Sequence, residues 1–158
     1  MKFSNAFIGD APSQRTANTT SKLLLSELQT AHADMLFAMA KMDAVTREAT
    51  SDRSSYTSAR WQLSKASLTR RLLWSNIFQH LMPRVGADNA AVLASLQSAD
   101  WEMLQYSAAH VGKWSTDEIE ANWPAYCVAS RALRLQMKAC MDAEKRGLYP
   151  ILERDAYR

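Results

Sequence analysis

The 158-residue chain is long enough to form one domain with a continuous core. Hydrophobic residues make up 47% and charged residues 22%, the proportions of an ordinary soluble globular protein. A net charge of +3 falls well short of the basic charge of typical nucleic-acid-binding proteins, so we predict no nucleic-acid partner. No apolar run reaches the ~18 residues of a membrane span, so we predict no membrane partner either.

An irregular N-terminal arm is predicted over residues 1–19, because this stretch combines Gly9 and Pro12 with many Ser and Thr residues. A first helix is predicted over about residues 20–48. Its inner positions recur at intervals of 3 and 4, the spacing of a face that packs on partner helices: Leu25, Leu28, His32, Met35, Met39 and Met42. His32 is the strongly polar member of this seam.

The second helix is predicted over about residues 55–82, where Pro83 ends it. Its inner positions are Ala59, Leu63, Ala66, Arg70, Leu73 and Ile77. Arg70 is charged, and we predict that its long stem carries the guanidinium outward to solvent rather than to an acid across the core. The third helix is predicted from an N-cap at Asp88 to about Gly112, with these inner positions: Val92, Leu96, Ala99, Met103, Tyr106 and His110.

A fourth helical segment is predicted to begin at Ser115, because residues 115–118, Ser-Thr-Asp-Glu, fit a capping box. Pro124 either divides a short lead-in helix from the main helix or kinks one long helix. The main segment carries these inner positions: Tyr126, Ser130, Leu133, Met137, Cys140, Glu144 and Leu148. Pro150 is predicted to end this helix, leaving residues 153–158 as a C-terminal tail.

Four helices joined by short loops over residues 20–152 predict an all-α, antiparallel, up-down-up-down four-helix bundle. The two cysteines, Cys127 and Cys140, fall on the last predicted helix, too far apart along its axis for a disulfide. Free thiols are typical of a reducing compartment, and residues 1–20 lack the apolar stretch of a signal peptide. We predict a cytoplasmic protein.

Two of the predicted helices end in similar sequences, Leu81-Met82-Pro83 and Leu148-Tyr149-Pro150. The inward-facing positions ten and six residues before these prolines are Leu73, Ile77, Cys140 and Glu144. This arrangement over residues 20–152 resembles the hemerythrin-like, or HHE cation-binding, family. In that family a His and a Glu stand at both pairs of positions. With further histidines on the first and third helices, they hold a di-iron centre that binds oxygen or related small molecules.

When the family's metal-ligand positions are compared with this sequence, the set of ligands for a di-iron centre is incomplete. Apolar residues stand at the second-helix pair and at the third-helix histidine position, namely Leu73, Ile77, Ala99 and Met103. His32 matches the first-helix histidine, Glu144 keeps the acid of the last helix, and Cys140 replaces its histidine. Since three residues do not satisfy two irons, we predict a hemerythrin-like bundle that has lost the di-iron site and holds no cofactor.

An alternative is a reduced metal site formed by His32, Cys140 and Glu144, because the first and last helices of a bundle are often neighbours. These three residue types can bind one iron or zinc ion, which gives a metal-binding protein that could bind oxygen or sense redox state. We favour a His32–Glu144 hydrogen bond or ion pair in an apolar core, with Cys140 acting as a small hydrophobic residue.

The sequence has no glycine-rich phosphate loop and no serine nucleophile elbow, so we predict that the protein is not an enzyme. Trp61 and Trp123 are candidates for an exposed contact surface, where aromatic anchors are favoured. A homodimer or a protein partner is therefore predicted as possible. The sequence as a whole indicates a non-catalytic binding, regulatory or interaction module whose small-molecule ligand is unknown.

Overall fold

The structure, a computed structural model, describes residues 12–158. Five helices and no strand occur in that range: α1 (Pro12–Thr46), α2 (Arg53–Leu81), α3 (Ala87–Lys113), α4 (Thr116–Ala121) and α5 (Trp123–Ala156). The predicted all-α class is confirmed. Within the same range, no helix has both the length and the apolar character needed to cross a membrane.

Helix α1 packs along both α2 and α5, α3 packs along α5, and the short α4 contacts α5. Three groups of buried side chains fill the interior between them. The first two are aliphatic and methionine-rich and include Leu28, Ile77, Leu148, Met35, Leu63 and Met137. The third is aromatic: the ring of Tyr126 lies 5.5 Å from that of Trp114 and 5.7 Å from that of Trp123.

Helix α1 begins well before its predicted start, so residues 12–19 of the predicted irregular arm are helical. Residues 1–11 of that arm lie outside the described part of the chain. Proline fits the first turn of a helix, where its missing N–H is not needed. The Thr19 and Thr20 hydroxyls donate to carbonyl oxygens four residues earlier, at 3.0 and 2.9 Å. Ser21, which follows, is fully buried, and this anchoring outweighs the low helix propensity of threonine.

Helix α5 passes through Pro150 instead of ending there, so the predicted stop is wrong, and so is the predicted tail, of which residues 153–156 are helical. Proline removes one backbone hydrogen bond and crowds the preceding turn, which normally breaks a helix. Here the following turn is held by tertiary contacts. Ile151 and Leu152 are buried in the first core group, and Asp155 is only 2% exposed.

Asp155 joins the end of α5 to the beginning of α1 and to the end of α2. Its Oδ2 accepts hydrogen bonds from the Ser21 hydroxyl at 2.6 Å and from Arg84 Nε at 3.0 Å. His80 Nε2 lies 2.7 Å from the same Ser21 hydroxyl. Burial alone would raise the pKa of Asp155, but the bonds from Arg84 and Ser21 outweigh it and lower that pKa.

Asp155→Asn is expected to lower the free energy of unfolding at pH 7 by about 1–3 kcal/mol, because neutral Asn binds Arg84 and Ser21 less strongly. A carboxyl whose pKa is lowered by folding stabilises above its unfolded pKa of ~3.9, and this contribution is lost as pH falls through the folded pKa. Urea denaturation at pH 7 and pH 3 should therefore show a smaller acid loss in the variant. Asp34→Asn, at an exposed position, is the control; equal acid losses in wild type and D155N would contradict this role.

The remaining helix ends follow local rules. The predicted helix start at Ser115 is confirmed, since its hydroxyl accepts from the Glu118 N–H at 3.2 Å, one of the two bonds of a capping box. Pro124 lies in the first turn of α5, so it divides α4 from α5 rather than kinking one helix. The N-cap of α3 is Gly86 and not the predicted Asp88, whose carboxylate instead lies in the first turn, where it favours the helix dipole.

Helix α3 is rotated relative to its predicted inner face. Val92 and Tyr106, predicted to be inner residues, are each 38% exposed, whereas Leu93 is fully buried. The helix packs mainly on α5 and approaches it closely at Gly147. A Cβ atom added to Gly147 would lie only 3.2 Å from side-chain carbons of both Val92 and Leu96. Glycine at this position therefore permits the close approach of α3 to α5.

The two tryptophans predicted to form a contact surface differ. Trp61 is 69% exposed on α2, as predicted. Trp123 is only 6% exposed, and its indole N–H donates to the Glu48 carbonyl at 3.0 Å, so its predicted exposure is wrong. Trp123 is the first residue of α5, and its ring packs in the aromatic core group.

Candidate functional site

The structure brings His32 on α1 and Glu144 on α5 into direct contact. Both are buried, with 1% and 3% exposure, and His32 Nε2 lies 2.7 Å from Glu144 Oε2. The other ring nitrogen, Nδ1, lies 2.6 Å from the Tyr149 hydroxyl, and the two rings stack with centroids 5.6 Å apart. Both imidazole nitrogens are thus engaged by protein groups.

Arg70 on α2 turns into the core and not outward, so the predicted solvent-facing orientation is wrong. The residue is 3% exposed; its Nη1 donates to Glu144 Oε1, and its Nη2 donates to Asp100 Oδ1, each at 2.5 Å. Two carboxylates offset the cost of burying the guanidinium. Burial acts to lower the pKa of Arg70, but Glu144 and Asp100 outweigh it and raise that pKa, so the cation is permanent.

These four residues, His32, Arg70, Asp100 and Glu144, form a cluster that we call the charged cluster. It draws one side chain from each of the four long helices. Glu144 is its centre, because one oxygen meets His32 and the other meets Arg70. The charged cluster therefore ties α1, α2, α3 and α5 together through polar contacts at a single level.

Cys140, the third predicted metal ligand, is half-buried and packs beside the methionine-rich core group. Within residues 12–158, no hydrogen bond or ion pair joins it to His32 or Glu144. Burial raises the pKa of the Cys140 thiol, so it stays protonated at neutral pH.

The charged cluster does not fit an iron or zinc ion. A metal needs free lone pairs converging on one point, whereas the Glu144 oxygens and the His32 nitrogens already bind protein groups. Among the residues that the structure describes, no group of three or more His, Cys, Asp or Glu side chains is arranged to hold a metal. The Arg70 guanidinium lies where a metal would supply positive charge.

Sequence reasoning identified His32 and Glu144 but missed two other residues of the site, Asp100, which binds Arg70, and Tyr149, which binds His32. Asp100 lies next to Ala99, a predicted inner position, and the rotation of α3 brings the acid inward instead. Tyr149 belongs to the Leu-Tyr-Pro sequence, and its polar role was not predicted. Its signal was present, since it follows Glu144 by five residues and lies between the buried Leu148 and Ile151.

No protein-family model, curated protein or solved structure matches this chain. The resemblance to hemerythrin-like proteins therefore depends on the sequences around Pro83 and Pro150 and on the placement of His32 and Glu144.

Proposed function

We propose that the protein is a hemerythrin-like, antiparallel four-helix bundle, with α4 as a lead-in to α5. The polar contacts between α1 and α5 support this arrangement. Ser21 meets Asp155, His32 meets Glu144, and Asp43 accepts from Arg134, so residue numbers rise along α1 as they fall along α5. That order is what antiparallel helices give.

In our proposal this bundle is a metal-independent, non-catalytic binding module of the cytoplasm. The contact between Arg70 and Glu144 is the observation that carries the proposal. A di-iron bundle uses metal charge to compensate its buried carboxylates, and here an arginine compensates them. A catalytic metal would also need an open coordination position. The exposed Trp61 supports the further prediction of a homodimer or a protein partner.

Metal analysis of protein purified without chelator tests this proposal. We expect no stoichiometric iron or zinc, both as purified and after anaerobic incubation with Fe(II) or Zn(II) followed by desalting. About one iron or zinc per chain, lost in His32→Leu, would contradict the proposal. It would instead favour the metal-binding alternative built on His32, Cys140 and Glu144.

His32→Leu has a separate expected effect on stability. It removes the partner of Glu144 Oε2 and of the Tyr149 hydroxyl, and unpaired buried polar groups cost about 1–3 kcal/mol. Urea denaturation should show this loss in the free energy of unfolding, with unchanged metal content. Gln29→Leu, an exposed position on the same helix, should change it by less than about 0.5 kcal/mol. If both variants unfold like wild type, the contacts of His32 do not stabilise the protein.

A further inference from the structure

A cavity of about 450 Å³ lies between α2, α3 and the first half of α5, and we call it the α2–α3 cavity. It exists because α2 and α3, unlike the other neighbouring long helices, do not pack closely along each other in the described part of the chain. Its volume falls in the range of small-molecule sites, roughly 300–1,000 Å³. Most of its wall is apolar and includes Leu63, Leu104, Val111, Leu133 and Met137.

Unpartnered polar atoms concentrate on this wall. Arg71 Nε and Ser107 Oγ are buried and have no hydrogen-bond partner among the described residues, and the Tyr126 hydroxyl, also buried, has the Ser130 hydroxyl as its polar neighbour. Tyr126 itself is 0% exposed. The neighbouring Ser130 hydroxyl accepts from Arg134 Nη1 at 2.5 Å. Buried polar groups are nearly always hydrogen-bonded, so these atoms on one wall indicate a partner from outside the chain.

The charge of the wall is of one sign. It contains Arg60 and Arg71, and none of its lining residues is Asp or Glu. Arg60 is partly used, since its Nη2 donates to the Trp114 carbonyl at 3.0 Å. Arg71 forms no ion pair within residues 12–158, because Asp100, the acid that acts on it, is bound to Arg70. His110 adds a donor, and its pKa is lowered by burial and by Arg60, so it is neutral at pH 7.

A single water molecule would not satisfy this wall. One water takes about 30 Å³, far less than the α2–α3 cavity, and the apolar side chains favour a carbon skeleton over a cluster of waters. The orphaned donors and the uncompensated guanidinium favour a negatively charged head group. A small inorganic anion would neutralise the Arg71 guanidinium but would leave the apolar part of the cavity without a packing partner.

We propose that the α2–α3 cavity binds a small organic carboxylate with an apolar body. The carboxylate meets Arg71 and the Tyr126 hydroxyl, and the carbon skeleton packs on Leu104, Leu133 and Met137. This inference rests on the binding role proposed above, since it names the ligand class of that module. It does not depend on what the charged cluster holds.

Isothermal titration calorimetry of the whole protein with octanoate and with 1-octanol tests the inference. We expect octanoate to bind at one per chain and 1-octanol at least tenfold more weakly, because the alcohol lacks the charge. Arg71→Met and Tyr126→Phe should each weaken octanoate binding about tenfold or more, since each removes a bond to a charged group. Arg131→Met, an exposed arginine of α5 outside the wall, should leave the affinity unchanged.

Leu104→Trp provides a second variant, because an indole at this position fills the cavity without removing a polar group. We expect it to abolish octanoate binding in protein that keeps the wild-type circular dichroism. Equal affinity for octanoate and 1-octanol, no octanoate binding at millimolar concentration, or unchanged binding in both Arg71→Met and Leu104→Trp would overturn the inference. Metal found in the charged cluster would refute the metal-free proposal and leave the octanoate result standing.

Discussion

Replacing Arg70 with methionine is expected to lower the free energy of unfolding by about 3–5 kcal/mol, the largest effect of any change at the charged cluster. Methionine keeps much of the apolar stem and removes the guanidinium. Glu144 then stays buried with His32 as its partner and with one oxygen left bare. Asp100 suffers less, because its side chain is 16% exposed and can reach water.

Urea denaturation at pH 7 measures this loss, and Arg131→Met on the exposed face of α5 is the control, with an expected change below about 0.5 kcal/mol. Adding Glu144→Leu to Arg70→Met should recover part of the loss, because it removes the bare buried carboxylate but leaves His32 Nε2 without its partner. A loss under about 1 kcal/mol in the single variant would show that Arg70 does not compensate Glu144.

Leu148→Ala is expected to cost about 2–5 kcal/mol through the cavity that it leaves in the first core group. Leu148 is 0% exposed and lies one turn beyond Glu144 on α5. Leu135→Ala is a matched control on the same helix, since Leu135 is 61% exposed and its truncation removes little packing. Thermal or urea unfolding of the two variants should differ by at least about 2 kcal/mol; similar losses would contradict the assignment of the α5 inner face.

The inner faces of α1 and α5 could be predicted from the sequence because their apolar spacing is strong. That spacing placed His32 and Glu144 inside, and the structure joins them. Helix α3 could not be placed in the same way, because alanines occupy several of its faces and blur the pattern. The prediction chose Ala99, and the rotation of α3 presents Asp100 to the core instead.

The orientation of Arg70 could not be predicted because it depends on that rotation. A long charged side chain takes the direction in which its partners lie, and both acids come from other helices. Pro150 shows the same limit. The local rule predicts a helix end, and contacts of Asp155 with distant residues override it. The unpartnered atoms around the α2–α3 cavity likewise have no sequence signature, since they arise from the spacing of α2 and α3.

Gly147 links the distance between α3 and α5 to the ion pairs of the charged cluster. A side chain there would press on the side chains of Val92 and Leu96, and a shift of α3 away from α5 would relieve that contact. Asp100 lies one turn beyond Leu96 on the same helix and would move with it, leaving Arg70 to Glu144 alone. In related sequences, we therefore expect a residue larger than glycine at position 147 to occur together with a smaller residue at position 92 or 96. The absence of a side chain at Gly147 thus helps to keep Asp100 within reach of Arg70.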